Sequence, residues 1–441
     1  MIMVKRAGLL ALCSLLLAGV VSGAPALDAE GQNIQRRQYY YDEQESIADQ
    51  SANDPIGATN KVLKMPHLGD TDAATFHKKK YGALVSSEYG DDSQVPWFDN
   101  GDFPFIQTAN AAASGDGWSW LPGEFEGFEM KHDLDISTGS TKITQPYYAM
   151  TGVNNNQVKR VLISLPGLHR DSWKYANLFY NALRYVQDKN KYGVEEGDVL
   201  IVAPVVLNLD DQAAGGTNGD DSDWAVYRKS NWEFGGNTQS PKADHSVSFY
   251  TALDKLIEKF LDKDQYPNVE KVVVAGHSLG GQAVQRYALL KHEKSYDDQV
   301  MYWVGNPGAY TWITSDRPTD ADCGGSTNQF PYGLESGSTF PKYVQKMFDD
   351  GQNSGDIVNR FRSRKVRYAL GLLDNGAGDT HCEAYTQGAN HLQRGANFVK
   401  SLDDDGGFPD THSVSYVAGL SHQDYPMIAA EPSLQYLFSE S

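Results

Sequence analysis

The sequence predicts an α/β protein: a mostly parallel central sheet with helices on both faces and a cap inserted after the sixth strand. Continuous apolar runs of strand length alternate with stretches of helical spacing from about residue 120 to residue 440. The alternation is unbroken enough to read as one large domain, although the length would admit more than one. It is interrupted only over residues 309–364, rich in Gly, Asp, Ser and aromatic side chains, and this segment reads as the cap.

In chain order, Lys5 and Arg6 precede the apolar run "AGLLALCSLLLAGVV" and the small residues "SGAPA". That is the layout of a secretory signal peptide over residues 1–23, with cleavage expected after Gly23 or Ala26. The run is shorter than the roughly 20 residues of a membrane-spanning helix, and the C-terminus lacks an apolar anchoring tail. Residues 24–98 are polar and acidic and read as an extension; the pair Arg36 and Arg37 marks a possible pro-segment boundary or a solvated charge pair. The α/β domain is then expected over residues 99–441.

"FEMKHDLDIS" and "TKITQPYYAM" alternate like early antiparallel strands. "RVLISLPG", "DVLIVAPVV", "KVVVAG", "QVMYWVGNP", "KVRYALGLLD" and "SVSYVAGL" are buried-strand runs. "SWKYANLFYNALRYVQ", "HSVSFYTALDKLIEKFLD", "LGGQAVQRYALLKH" and "EAYTQGANHLQRGANFVKSL" read as the helices between them.

Lys and Arg number 38 against 57 Asp and Glu, a formal charge of −19. Such acidity argues against nucleic acid or an anionic membrane as partner. No N-x-[ST] sequon is present, so N-glycosylation is not expected. Of three cysteines, Cys13 leaves with the signal peptide. Cys323 and Cys382 remain as an even pair in an oxidising compartment, which predicts a disulfide, two buried free thiols being the other reading.

Gly276, Ser278 and Gly280 form G-x-S-x-G where a β-branched run stops and a helical pattern starts. A serine there sits on a sharp turn, exposed above a helix N-terminus, which is how a nucleophilic serine is presented. A Gly-rich helix start with a serine cap is the bland alternative. The serine needs a base and the base an orienting acid, both expected beyond the carboxyl ends of later strands. His412 precedes its strand, and His381 and His391 fall in the helical stretch, which leaves His422 in the loop after "SVSYVAGL". His277 is expected to pack at the turn. Asp374 sits where "KVRYALGLL" runs out, with a turn-forming "DNG" as its other role. Asp379 precedes Thr380 and Glu383, which read as an S/T-x-x-E capping box. The acid is therefore assigned to Asp374, and the order Ser278, Asp374, His422 suits an open α/β sheet. A metal site from Asp379, His381, Cys382 and His391 lacks ligand-motif spacing, so no metal is expected. "SLPGLHRDSW" offers the Leu168 amide, and the turn offers that of Leu279, as an oxyanion-binding pair.

With "PGLHRD", "AGHSLGGQAVQRYAL", "GNPGAY", "FPYGL", "GLLDNGAGDTHCEAYTQG" and "GLSHQDYPM", the chain resembles α/β-hydrolase-fold serine hydrolases over about residues 120–440. It is most similar to secreted fungal members. The resemblance implies an eight-stranded sheet, a Ser-His-Asp triad and ester hydrolysis without a cofactor. Pro166 stands where many of these enzymes carry the His of a His-Gly pair. The expectation is a secreted, extracellular carboxylic-ester hydrolase acting on a small-molecule or polymeric ester, without a stable membrane anchor. Serine peptidase, acyltransferase and non-catalytic binding protein are the alternatives.

Overall fold

The computed structural model describes residues 42–65, 117–125, 127–219, 222–335 and 340–441. The expected signal peptide, the dibasic pair and residues 66–98 of the polar extension lie outside the described residues.

Among the described residues, nine strands form one sheet in the order β1-β2-β3-β5-β4-β8-β9-β10-β11. They are β1 (Glu124–Phe125), β2 (Phe128–Lys131), β3 (Tyr147–Met150), β4 (Arg160–Leu165), β5 (Val199–Pro204), β8 (Lys271–His277), β9 (Val300–Gly305), β10 (Lys365–Gly371) and β11 (His412–Val417). The short pair β6 (Leu207–Asn208) and β7 (Val226–Tyr227) stands apart. From β5 through β11 every pairing in the large sheet is parallel, and β1, β2 and β3 join antiparallel. Eight strands follow the α/β-hydrolase order, and the ninth, two-residue β1, folds back on β2. The cap leaves β9, which is the sixth strand when β1 is set aside.

The parallel strands are apolar throughout because both their faces are covered. On β8, Val272 and Val274 enter one core with the helices Phe249–Leu261, Leu279–Leu290 and His391–Asp404. Val273 and Ala275 enter the opposite core with Ser172–Asp188 and Glu431–Phe438. The chain winds from β4 outward to β5 in one direction and back through β8 in the other. The carboxyl ends of β4 and β8 therefore flank a crevice at the point where the strand order reverses, the place where such sheets bind ligands.

Two readings of the sequence change. Residues 42–51 and Pro55–Val62 are helical, and Ile47, Ala58 and Val62 join the main core. The Gln44 side chain accepts from the Gly419 amide at 2.8 Å, and Thr59 Oγ1 meets the Tyr416 hydroxyl at 2.8 Å. Part of the stretch read as a polar extension is thus structural, and the compact unit runs Tyr41–Ser441. Ala48, Ile56, Leu63 and Met65 pack beside Ile47, Ala58 and Val62, partly buried, against surface that is already apolar. The helix expected over 383–402 is two, Cys382–Tyr385 and His391–Asp404. Gly388 takes φ 148° between them, and the Asn390 side chain caps the second by accepting from Gln393 N.

Cys323 and Cys382 are joined with Cα atoms 5.6 Å apart, which ties the cap to the segment after β10. The cap's Tyr310, Trp312 and Phe330 are buried in the main core, Tyr310 stacking on Phe398 at 4.5 Å. No helix among the described residues is long and apolar enough to cross a membrane.

Candidate active site

Ser278 stands between β8 and the helix Leu279–Leu290 with φ 59° and ψ −123°, a conformation that non-glycine residues rarely adopt. Its amide donates to Gly305 O at 2.9 Å, so the turn is pinned to the end of β9. The flanking glycines are required by contact. A Cβ at Gly276 would lie 2.4 Å from the Gly280 carbonyl carbon, and one at Gly280 would lie 2.7 Å from Pro166 O. The second contact brings the loop after β4 against the first turn of the helix.

Ser278 Oγ donates toward His422 Nε2 at 2.9 Å, and His422 Nδ1 donates to Asp374 Oδ2 at 2.7 Å. The three residues come from the ends of β8, β10 and β11. Asp374 is 1% exposed. Burial opposes its ionisation, but the neighbouring His391 and the hydrogen bond from His422 outweigh it and hold the carboxyl well below the usual range. Asp379, five residues on, does not reach His422. Its carboxylate accepts from the Tyr332 hydroxyl at 2.7 Å and from the His381 amide at 2.9 Å.

The capping box expected at Thr380 and Glu383 is not formed. The short helix starts one residue late, at Cys382, with His381 at its N-cap and no side-chain cap, and Glu383 accepts from Ser326 Oγ instead. The metal quartet is not assembled either, because Cys382 is bonded to Cys323. Among the described residues, the carboxylate and imidazoles whose ligand atoms converge are Asp374, His391 and His422.

One residue, Asn306, and one role, that of His391 beside Asp374, were not foreseen. Asn306, 1% exposed with φ 41°, follows β9 and joins the other strand ends. Its Oδ1 accepts from Gly371 N at 2.8 Å, its Nδ2 donates to Ser421 O at 2.9 Å, and Nδ2 lies 3.4 Å from His277 Nε2. One amide therefore touches the segments carrying Asp374, His422 and Ser278. His391 begins its helix; its Nδ1 donates to Gly376 O at 2.8 Å and lies 3.2 Å from Asp374 Oδ1. Its ring lies 4.2 Å from that of His422, and His277 lies 4.8 Å away. Burial, with the His422 charge beside it, holds His277 far below the usual imidazole range, so it stays neutral. "GNPG" after a strand was the available signal for Asn306; His391 had none, since its helix start was hidden in one long apolar pattern.

Leu168 is exposed and lies in the loop after β4; Leu279 opens the helix after Ser278, where an amide has no intrahelical acceptor. Arg170 secures this loop by a two-nitrogen contact to buried Asp211, at 3.1 and 2.8 Å. Leu168 and Leu279 line a cavity of about 540 Å³ together with Ser278 and His422. Polar side chains on its wall include Glu233, Gln282, Asp379 and His381. The cap aromatics Tyr310, Trp312 and Phe330 form core, and Tyr332 donates to Asp379 on the cavity wall.

No protein-family model and no curated protein matches the chain. Among solved structures, poly(aspartic acid) hydrolase-1 from Sphingomonas sp. KT-1 aligns with a TM-score of 0.46 and 16% identity, over 70% of this chain and 97% of its own. LpqC, a poly(3-hydroxybutyrate) depolymerase from Bordetella parapertussis, aligns with a TM-score of 0.46 and 19% identity, over 70% and 88%. Esterase Pf2001 of Pyrococcus furiosus gives 0.38 and 12%, over 72% and 95%. The solved structures similar to this chain include esterases and depolymerases of the α/β-hydrolase fold.

Proposed function

We propose that the protein is a secreted serine hydrolase that cleaves carboxylic esters through an acyl-enzyme. The carrying observation is the continuous hydrogen-bond chain from Ser278 Oγ through His422 to Asp374 Oδ2 at the strand ends. His422 Nε2 takes the Ser278 proton as Oγ attacks the acyl carbon. The Asp374 carboxylate keeps the second imidazole proton on Nδ1 and balances the positive charge that forms. The amides of Leu168 and Leu279 receive the oxyanion. His422 then protonates the departing alcohol, and a water activated by the same imidazole releases the acid. The proposed chemistry uses only side chains and backbone amides.

Secretion is supported by the signal-like N-terminus and by the disulfide. N-terminal sequencing of protein from the medium checks it: a start at Ala24 or Leu27 is expected without pro-segment removal, and at Gln38 with it.

A fluorophosphonate probe should label Ser278 in the native protein, and labelling should vanish in Ser278→Ala. Lack of labelling in a folded wild type would favour a binding protein. Matched ester, amide and alcohol-acceptor assays separate ester hydrolysis from peptidase and acyltransferase activity.

A further inference from the structure

Ser278, Gln282 and Arg286 recur every fourth residue and so share one face of the Leu279–Leu290 helix. Gln282 is about one turn, ~6 Å along the helix, from the serine. Glu233, from the turn Asn231–Phe234, docks on this column: its Oε2 accepts from Gln282 Nε2 at 2.7 Å and pairs with Arg286 Nη1 at 2.7 Å. Glu233 is 7% exposed, Gln282 2% and Arg286 0%, yet Glu233 and Gln282 both line the cavity that holds Ser278.

Both side chains keep an unused acceptor. Glu233 Oε1 and Gln282 Oε1 take no hydrogen bond from any described residue. Both oxygens keep contact with the open cavity, so a group that enters and displaces the water there leaves them unpaired, at a cost in free energy, unless it brings a donor. No Lys or Arg among the described residues lines this cavity. An anionic substrate group would therefore face the Glu233 carboxylate, paired with Arg286 outside the lining, with no cation on the wall itself. Burial and the nearby Asp379 charge push the Glu233 carboxyl up to about 7, against the pull of Arg286 and Gln282.

We propose that Glu233 Oε1 and Gln282 Oε1 form a specificity subsite that selects esters carrying a hydrogen-bond donor, a hydroxyl or an ammonium, about one helical turn from the scissile bond. This rests on the ester-hydrolase reading above. A donor-bearing substrate satisfies both oxygens, whereas an alkyl group of the same shape strands them. Sites built to bond a substrate hydroxyl or N–H reject analogues that lack it strongly.

The test uses esters of one ring shape: cyclohexane, hydroxylated cyclohexane and piperidine. Each ring is presented once in the alcohol part and once in the acyl part. At least one donor-bearing ring should exceed cyclohexane by about tenfold or more in kcat/KM. The hydroxylated and piperidine arms identify which donor is used. Glu233→Gln should erase most of an ammonium preference, and Gln282→Met should reduce a hydroxyl preference several-fold. Both variants are read as ratios between rings, which cancels any loss of folded enzyme. Equal or better turnover of the plain cyclohexane esters, with Ser278 labelled by the probe, overturns the subsite alone. A donor preference that persists unchanged in both variants also overturns it. Absence of turnover and of labelling overturns the ester reading and the subsite with it.

Discussion

Asp374 and Asp379 are five residues apart, both partly or wholly buried and both beside a histidine, yet their surroundings differ in kind. Asp374 sits directly after a sheet strand, so its position is inherited from β10 and from Asn306, which grips Gly371. Asp379 lies in a loop anchored by the disulfide and by Arg394, whose Nη1 donates to Asp379 O at 2.9 Å. Burial opposes ionisation of both, and hydrogen bonds lower both. The lesson is that the same chemical group next to the same kind of ring does different work according to which element fixes it. In the proposed mechanism the strand end holds the proton relay in register, whereas the loop supplies part of the cavity wall.

The largest expected effect is on the acid. Asp374→Asn should lower kcat for ester turnover by about 10³–10⁴, because the amide no longer holds the imidazole proton on Nδ1. Asp379→Asn should cost less than about tenfold, since an amide oxygen can still accept from Tyr332 and the His381 amide. If the second substitution is the more damaging, the roles are reversed and the geometry has been misread.

Asn306→Ala should come next, with kcat reduced about tenfold to a hundredfold and KM nearly unchanged. It frees Gly371 and Ser421 and so loosens Asp374 and His422 together, without altering the cavity wall. A rise in KM alone would assign Asn306 to binding.

On the loop side, reduction or Cys323→Ser should lower the unfolding midpoint, since the bridge closes a loop with a sequence separation of 59. The chain-entropy model makes this worth about 4 kcal/mol. Activity should fall less than stability, because Ser278 and His422 lie outside that loop and Asp374, although inside it, is held by β10 and by the Asn306 contact to Gly371; an unchanged midpoint would remove the cap's tether from consideration.

The smallest effect is in the pH dependence of stability. Asp374 has a lowered carboxyl pKa, so its contribution is present above the ordinary Asp range and lost as pH falls through the lower folded value. Glu233 is raised to about 7, so its contribution is present below the ordinary Glu range and lost as pH rises through about 7. Glu233→Gln should therefore flatten the decline of the melting temperature between roughly pH 5 and 8. A decline as steep as the wild type's would place its origin elsewhere.

Strand runs such as "KVVVAG" and "KVRYALG" were legible because burial on both faces leaves a continuous apolar signature. Ser278 was legible because its turn needs Gly276 and Gly280 in fixed places, and Asp374 and His422 because each follows a strand closely. Residues 42–65 were not, since a helix that packs on ready-made apolar surface needs few apolar residues of its own.

The sequence by itself determined the local devices: the strand–turn–helix at Ser278, the strand ends that bear Asp374 and His422, and the even cysteine pair. Only the tertiary structure decided how distant side chains converge. Asn306 across three strand ends, His391 beside Asp374, and Glu233 on the Ser278 face of the helix each depend on packing between segments far apart in the chain. Local geometry is written in neighbouring residues, whereas such convergences arise from the summed positions of strands and helices, which no short stretch encodes.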